Sequence, residues 1–370
     1  MKIIYCIPSL HISGGRERVV VNKANWLVEK GHDVTIITTD QGTNPSFYAL
    51  DARIRVEDLA INYCHNKQRY IYQKIPYYFI NKYKHIRRLK AFLDTSNADI
   101  IISTFANEMV CLSTYKGVGK KILELHTQKA DVDQNIGNGI LGRFRRLSII
   151  RQIRSFDAFV VLTNKDRLAW GGAVAIPNAL PFRPERRSSL TQKRALAVGR
   201  LCFVKNYERL ICAWEIFHKT HSDWMLEIVG DGEMKEDLQH LIVSKDLSDS
   251  ITLSPATSNI QQKYQESSVF LLTSRMESFG MVLIEAQSCG VPIISYDVPC
   301  GPAEIIHNGE DGFLIKDGDI NEYVAKLSLL ATNEELRQKM GDAAYLNAQR
   351  YSEDVIMAQW ENLFHELSHK

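Results

Sequence analysis

The feature that most constrains this chain is an alternation of short β-branched segments with helical patterns, run through twice. In the first half the candidate strands are Lys2–Ile7, Val34–Thr38, Ile100–Ser103, Lys121–Leu125, Phe159–Leu162 and Val174–Ile176. In the second half they are Ala195–Val198, Met225–Val229, Ile251–Leu253, Val269–Leu272, Pro292–Ser295 and Gly312–Ile315. In the first half each is followed by a polar or glycine turn and usually by a helical stretch, and the second half repeats the alternation. Strands joined through helices pair in parallel and bury both faces of their sheet. The expected class is therefore α/β, with two doubly wound Rossmann-like domains.

Between the halves, Ile176-Pro177-Asn178-Ala179-Leu180-Pro181-Phe182-Arg183-Pro184 carries three prolines in nine residues and reads as a linker. The expected division is a first domain over 1–178, a second over 179–350, and a tail over 351–370. That tail reads as a helix with Ser352 as a possible N-cap and Glu353 and Asp354 in its first turn. Two such domains on a short hinge are expected to face each other across a cleft at the carboxyl ends of their strands, where ligands bind in doubly wound folds.

Composition narrows the class further. With 370 residues, 45% hydrophobic and 24% charged, the chain has the make-up of a soluble globular protein of about two to three domains. The apolar start, Met1–Pro8, is too short for a signal peptide, and no run reaches the ~20 apolar residues that span a bilayer, so a cytoplasmic location is expected. Seven cysteines without a Cys-x-x-Cys pair argue against a disulfide framework or structural zinc and for reduced core thiols.

A net charge of +2 hides an asymmetry. Residues 1–180 hold 26 Lys+Arg against 15 Asp+Glu, or +11, and the remainder holds 19 against 28, or −9. Two acid-free windows concentrate the positive charge: Lys67–Lys90, with eight cations among tyrosines and other apolar residues, and Arg143–Arg154, with five arginines. In the second, apolar residues fall at roughly helical spacing, which suits an amphipathic basic helix lying on a membrane. Such windows fit an anionic membrane surface or a pyrophosphate-bearing acceptor, and they also fit solvated helix faces. No nucleic-acid partner is expected, because the whole chain is near neutral and carries no motif of that kind.

The richest segment for chemistry is Arg275-Met276-Glu277-Ser278-Phe279-Gly280-Met281-Val282-Leu283-Ile284-Glu285-Ala286. If a helix opens near Gly280, its free amide groups and positive dipole end make a site for a diphosphate. Glu277 then lies in the loop before it and Glu285 on the helix after it, where each can accept hydrogen bonds from paired sugar hydroxyls. Alone, the pair equally fits a solvated loop residue and an exposed helical one. With Cys289-Gly290-Val291-Pro292-Ile293-Ile294 and Gly301-Pro302-Ala303-Glu304-Ile305-Ile306 behind it, the segment closely resembles the Glu-x7-Glu region of retaining glycosyltransferases of family 4.

That resemblance implies the GT-B architecture, in which the final helix packs back on the first domain, and it assigns further residues. Gly14 and Gly15, in Ser13-Gly14-Gly15-Arg16, match the glycine-rich first loop beneath the donor diphosphate; by pattern alone they make a plain turn. Gly199 ends a strand, and Arg200 and Lys205 match the diphosphate-binding pair, which on spacing alone are surface cations. His126, at a strand end, resembles the active-site histidine thought to contact the transferred sugar, although a histidine there is more often a structural hydrogen-bonding group. Gly230 and Asp231 resemble the glycine turn near the nucleotide, with Asp231 read as a turn residue. Catalytic contacts thus fall to His126, Glu277, Arg200 and Lys205. Donor binding adds Gly14, Gly15, Gly199, Gly230, Asp231, Ser278, Phe279, Gly280, Met281, Val282 and Glu285.

No cofactor and no metal are expected. Asp131-Val132-Asp133 and Asp317-Gly318-Asp319 have the Asp-x-Asp pattern that binds a divalent ion in another glycosyltransferase fold, but their surroundings do not support that role. Arg200, Lys205 and a helix N-terminus can stabilise the leaving group without a metal. The resemblance implies transfer with retention, the departing diphosphate helping to deprotonate the acceptor on the same face of the sugar. It further suggests a UDP-hexose or UDP-N-acetylhexosamine donor and an undecaprenyl-diphosphate-linked saccharide acceptor in cell-surface polysaccharide assembly, at the inner face of the membrane. The alternatives are a soluble transferase making a free disaccharide or glucan, a sugar-nucleotide epimerase and a noncatalytic sugar-nucleotide binding protein.

Overall fold

The computed structural model describes residues 1–12, 14–64, 70–105, 107–137 and 139–369, the side chains of Ile71 and Gln73 aside. Ser13 and the Lys67–Arg69 end of the first basic window lie outside the described residues. The chain divides into two compact units, Met1–Pro177 with Met357–Lys370, and Asn178–Ile356.

In the first unit β1 (Lys2–Cys6), α1 (Gly15–Glu29), β2 (Asp33–Thr38), β3 (Arg55–Asp58), α2 (Ile71–Ser96), β4 (Ile100–Thr104), α3 (Asn107–Leu112) and β5 (Lys120–Glu124) follow in order. Then come α4 (Lys129–Ile136), α5 (Ile140–Ile153), β6 (Ala158–Val161), α6 (Asn164–Trp170) and β7 (Val174–Ala175). The sheet order is β3-β2-β1-β4-β5-β6-β7, with every pairing parallel. Near-continuous Ile, Val and Leu in the strands match burial on both faces. One face packs Ile4, Ile37, Ile101, Leu123 and Val161 against Leu89 and Leu93 of α2 and Met109 and Leu112 of α3.

The edge strand β3 was not among the expected strands. Arg55-Val56-Glu57-Asp58 pairs with Thr35–Thr38 while staying largely exposed. An exposed edge needs no apolar run, so the usual signal is missing, and its charges discourage pairing with a second chain.

The second unit holds β8 (Arg194–Val198), α7 (Tyr207–His218), β9 (Met225–Val229), α8 (Lys235–Ser244), β10 (Ile251–Ser254), α9 (Ile260–Gln265) and β11 (Val269–Leu272). It continues with α10 (Met281–Ser288), β12 (Ile293–Asp297), α11 (Pro302–Ile305), β13 (Gly312–Lys316), α12 (Ile320–Thr332) and α13 (Glu334–Ala348). Its strands run β10-β9-β8-β11-β12-β13, again all parallel. The Phe217 ring, fully buried, packs 4.9 Å from Trp214. Burial of a side chain that size contributes about 2–3 kcal/mol. A last helix, α14 (Glu353–Ser368), starts in the second unit and runs into the first.

No disulfide joins the cysteines among the described residues, but only Cys6, Cys111, Cys289 and Cys300 are buried. Cys202 and Cys212 are half-buried and Cys64 is exposed, which corrects the expectation of core thiols throughout. A cysteine is hydrophobic enough for a core but small enough to be tolerated outside one.

Candidate active site

In the second sheet the order reverses between β8 and β11, and connections from neighbouring strands leave a crevice at such a point. The loops after these two strands are tied together. The Arg275 amide donates to the Val204 carbonyl at 2.8 Å, and Thr273 Oγ1 donates to the Asn206 carbonyl at 3.1 Å. The Arg275 guanidinium donates to Asn206 Oδ1 at 3.0 Å and lies 4.2 Å from the Phe203 ring centre. Asn206 accepts a left-handed conformation at the start of α7, which asparagine tolerates better than most residues.

This bracing delivers Lys205 onto Glu277. Lys205 Nζ donates to Glu277 Oε1 at 2.5 Å, and Ser274 Oγ donates to the same oxygen at 2.7 Å. Glu277 is 8% exposed, so it is no solvated loop residue. A carboxylate with so little water needs protein donors, and it has two. Arg200 is exposed and makes no hydrogen bond or ion pair with the described residues. One cation is therefore already shared with a carboxylate, and the other is open to an incoming anion.

Gly280 caps α10 with φ 95° and ψ 59°, a left-handed conformation, and a Cβ there would sit 2.9 Å from Leu283 Cδ1. The backbone conformation is the one that calls for glycine, since the contact is with the end of a side chain. Met281 and Val282, half-buried, form the first turn, where amide groups have no intrahelical partner. Before it, Ser278 is half-buried and Phe279 is buried edge-on against Tyr351. Glu285 is one turn further in and only 3% exposed, with Oε2 accepting from Tyr264 Oη at 2.9 Å.

The glycines of the other turns serve packing. A Cβ at Gly230 would run into the Gly199 carbonyl oxygen, and one at Gly232 into that of Leu201. The Gly199 amide donates to Val229 at 3.0 Å and the Leu201 amide to Asp231 at 2.9 Å. The two turns thus lie back to back, closer than any side chain allows. Asp231 Oδ2 accepts from the Ala256 amide at 2.9 Å and fastens the turn to the next loop.

In the first unit α1 begins at Gly15 after Gly14. Gly14 has φ −102°, which any residue adopts, so turn geometry does not require a glycine there. What occupies the space is the Glu17 carboxylate, which a Cβ at Gly14 would displace and which Arg16 holds at 2.7 Å. The Gly14 amide already donates to Ile12 at 2.9 Å, and a Cβ at Gly15 would meet nothing. His126 follows β5, its side chain 10% exposed and its Nε2 3.4 Å from Glu124 Oε1. Beneath it lies a buried ion pair, Lys23–Glu124.

Ser274, Tyr264, Lys23, Glu124 and Glu17 were missed from the sequence. Lys23, within Val-Val-Val-Asn-Lys-Ala-Asn-Trp, and Glu124, within Lys-Ile-Leu-Glu-Leu, are charges in apolar runs, the one local signal of a buried pair. Glu108, in α3, is another buried acid: burial pushes its carboxyl up to about 7, and its Oε2 has no hydrogen-bond partner among the described residues.

Both Asp-x-Asp segments are engaged. Asp131 accepts from Thr127 Oγ1 at 2.6 Å, and Asp133 pairs with Lys129 at 2.6 Å and Arg146 at 3.2 Å. Asp317 pairs with Arg209, and Asp319 caps α12 by accepting from the Glu322 amide.

The basic windows divide into used and unused charges. Lys84 and Arg88 donate to carbonyls after β3, and Lys90 pairs with Asp94, whereas Lys74 and Arg87 have no such partner among the described residues. Tyr72, Ile75, Phe79 and Tyr83 form a stripe along α2 that is 62–70% exposed. In α5 the expected single apolar face is not found. Ile149 and Ile153 pack on the core while Ile140, Leu141, Phe144 and Leu147 point outward, so apolar residues occupy opposite sides of the helix. Among the described residues no helix is long and apolar enough to cross a membrane.

Comparison with known proteins matches this division of the chain. Residues 13–171 match the model "Glycosyltransferase Family 4", and residues 181–347 match "Glycosyl transferases group 1". An uncharacterized glycosyltransferase of Haemophilus influenzae is 29% identical over 98% of this chain and 99% of its own. The amylovoran biosynthesis glycosyltransferase AmsD of Erwinia amylovora is 27% identical over 98% and 99%. A Campylobacter jejuni α-1,4-N-acetyl-D-galactosaminyltransferase named for a GalNAc2-diNAcBac-PP-undecaprenol substrate is 26% identical over 99% of each. The crystal structure of TarM superposes with a TM-score of 0.81 at 17% identity over 98% of each chain. A TarM variant solved with Fondaparinux, α-GlcNAc-glycerol and UDP gives 0.77 at 16% identity, over 98% of this chain and 99% of that one.

The chain belongs to the GT-B glycosyltransferases of the family 4 type. Within that class it is a glycosyltransferase of polysaccharide or glycan biosynthesis.

Proposed function

We propose that this enzyme transfers a hexose or N-acetylhexosamine, with retention, from a UDP-sugar to an undecaprenyl-diphosphate-linked saccharide at the inner face of the membrane. The observation that carries the reading is the arrangement at the β8–β11 reversal: Arg200, unpaired among the described residues, the Lys205–Glu277 pair and the α10 N-terminus after Gly280. Two cations and a helix dipole suit a diphosphate, and they act most strongly on the extra charge that develops as it leaves. Glu277, once Lys205 turns to phosphate, accepts from the sugar hydroxyls, and Glu285 with Tyr264 receives the ribose. Charge stabilisation by these groups makes a divalent metal unnecessary.

Support for UDP comes from the TarM complex and for the lipid-linked acceptor from the Campylobacter relative. Support for membrane contact is the exposed aromatic stripe of α2 beside Lys74 and Arg87, joined by the outward apolar side of α5 with Arg143 and Arg145. Aromatic and aliphatic side chains enter the interface while the cations meet anionic headgroups.

A thermal-shift screen against UDP, GDP, ADP and their sugars, with and without EDTA, tests the donor site. A shift selective for UDP and insensitive to EDTA is expected; a shift that needs a divalent ion would refute metal independence. Vesicle flotation tests the surface. Binding to phosphatidylglycerol vesicles should weaken with salt and with Lys74→Gln, Arg87→Gln and Phe79→Ser together, and unchanged binding in that variant would remove the surface from the reading.

A further inference from the structure

His126 stands on a buried electrostatic support that reaches to the C-terminal helix. Glu124, the last residue of β5, is 1% exposed, and two groups face its carboxylate: Lys23 of α1, with which it forms an ion pair, and His126 Nε2 at 3.4 Å. Lys23 is itself only 4% exposed, and its Nζ lies 4.1 Å from the ring centre of Trp360 on α14 and 6.0 Å from that of Tyr5 on β1. Burial lowers the Lys23 ammonium from its ordinary value, Glu124 works against that loss, and the aromatic faces are of the kind that favours a cation. Burial by itself would raise the Glu124 carboxyl, yet Lys23 and His126 hold it down at about 2. The carboxylate is ionised.

An ionised carboxylate is acceptor only. Nε2 is cut off from solvent and makes no hydrogen bond with the described residues, and the Glu124 carboxylate stands 3.4 Å from it. A lone pair on Nε2 would point at negative charge, whereas an N–H would be attracted to it. With Nε2 enclosed, the 10% of the side chain that stays exposed lies elsewhere on the residue.

We propose that Glu124 and Lys23 are positioning residues: together they fix the proton of neutral His126 on Nε2, so that Nδ1 offers a lone pair that accepts a hydrogen bond from a sugar hydroxyl of the substrate. This rests on the reading of the chain as a sugar transferase in which His126 meets sugar. The pair sets which imidazole nitrogen acts and in which direction its hydrogen bond runs, as the partner of the second ring nitrogen does for other functional histidines.

The tautomer is read by long-range 1H–15N correlation spectra of full-length protein labelled with 15N-histidine, at pH 8. His126 is assigned as the pattern absent from His126→Asn. The expected result is an Nε2–H, with Nδ1 at the shift of an unprotonated nitrogen. The variant Glu124→Gln with Lys23→Met removes both charges together, so no unpaired ion is left inside, and it should show averaged shifts from both tautomers. Lys23→Arg keeps the cation and should keep the wild-type pattern. UDP-glucose, UDP-galactose, UDP-N-acetylglucosamine and UDP-N-acetylgalactosamine are then added in turn. At least one should move the Nδ1 signal where UDP alone does not.

A wild-type proton on Nδ1, or an unchanged tautomer in the double variant, overturns the positioning role. Absence of any sugar-dependent Nδ1 shift overturns the contact. In steady-state assays the double variant should lose tenfold or more in kcat with less than a threefold change in donor KM, and a loss confined to KM would overturn the role as well. If the wild type transfers no sugar from any of these donors, the functional reading falls while the tautomer measurement still stands on its own.

Discussion

Removal of Lys205 from beside Glu277 tests whether the cation proposed to meet the donor is held in a coupled ion pair. The side chains are 19% and 9% exposed, so the pair is shielded more than a surface bridge but not sealed. Unit charges about 4 Å apart at an effective dielectric constant of about 20 attract by about 4 kcal/mol. Desolvation of both groups offsets roughly half, which leaves a coupling of about 2 kcal/mol. Lys205→Met strands Glu277 with Ser274 as its one remaining partner and should destabilise the second unit by about 3 kcal/mol. Glu277→Gln leaves the more exposed Lys205 behind and should cost about 1.5 kcal/mol. The double variant should then cost about 2.5 kcal/mol rather than 4.5, a difference that is the coupling itself. Urea unfolding followed by tryptophan fluorescence gives the four values, with Trp214 and Trp224 reporting on this unit. Single effects that add within about 0.5 kcal/mol would refute the stored pair.

Other perturbations separate packing from chemistry. Gly230→Ala meets the Gly199 carbonyl, which is backbone and cannot swing aside, so a loss of about 3 kcal/mol is expected in the same unfolding assay. Gly14→Ala meets only the end of the Glu17 side chain and should cost less than about 1 kcal/mol. Tyr264→Phe takes a donor from Glu285, which should raise the nucleotide-sugar KM several-fold by kinetics and lower stability by about 1.5 kcal/mol. Glu108, raised to about 7 by burial, keeps its proton in the folded state after the unfolded chain has released it near pH ~4.3. Its contribution is therefore whole below pH ~4.3 and disappears as pH rises to about 7, so wild type should lose stability relative to Glu108→Gln across that window in melting experiments.

What could be read in advance follows what is local. Most of the twelve expected strands were visible because burial on two faces leaves an apolar run, while Arg55–Asp58, wet at the sheet edge, left none. Arg200, Lys205, Glu277 and Gly280 stood out through the resemblance of their segments to the family 4 pattern, since on spacing alone the two cations read as surface residues. Their supports did not. Tyr264 reaches Glu285 from 21 residues away and Lys23 reaches Glu124 from 101, distances over which no periodicity speaks. Gly14 shows the reverse case: the residue was noticed for a turn, but its backbone is ordinary and a folded-back carboxylate explains the missing side chain.

The path of the chain has a modular consequence. It enters the second unit at Asn178 and leaves at Ile356, and near those points the Leu180 amide donates to the Tyr351 carbonyl at 2.8 Å. Entry and exit lie side by side, so this unit is an insert carried by the other, closed at its neck like a loop drawn tight. A cassette of that kind has both of its ends at one place, so its chain can be exchanged for another of the same neck without lengthening or shortening the host.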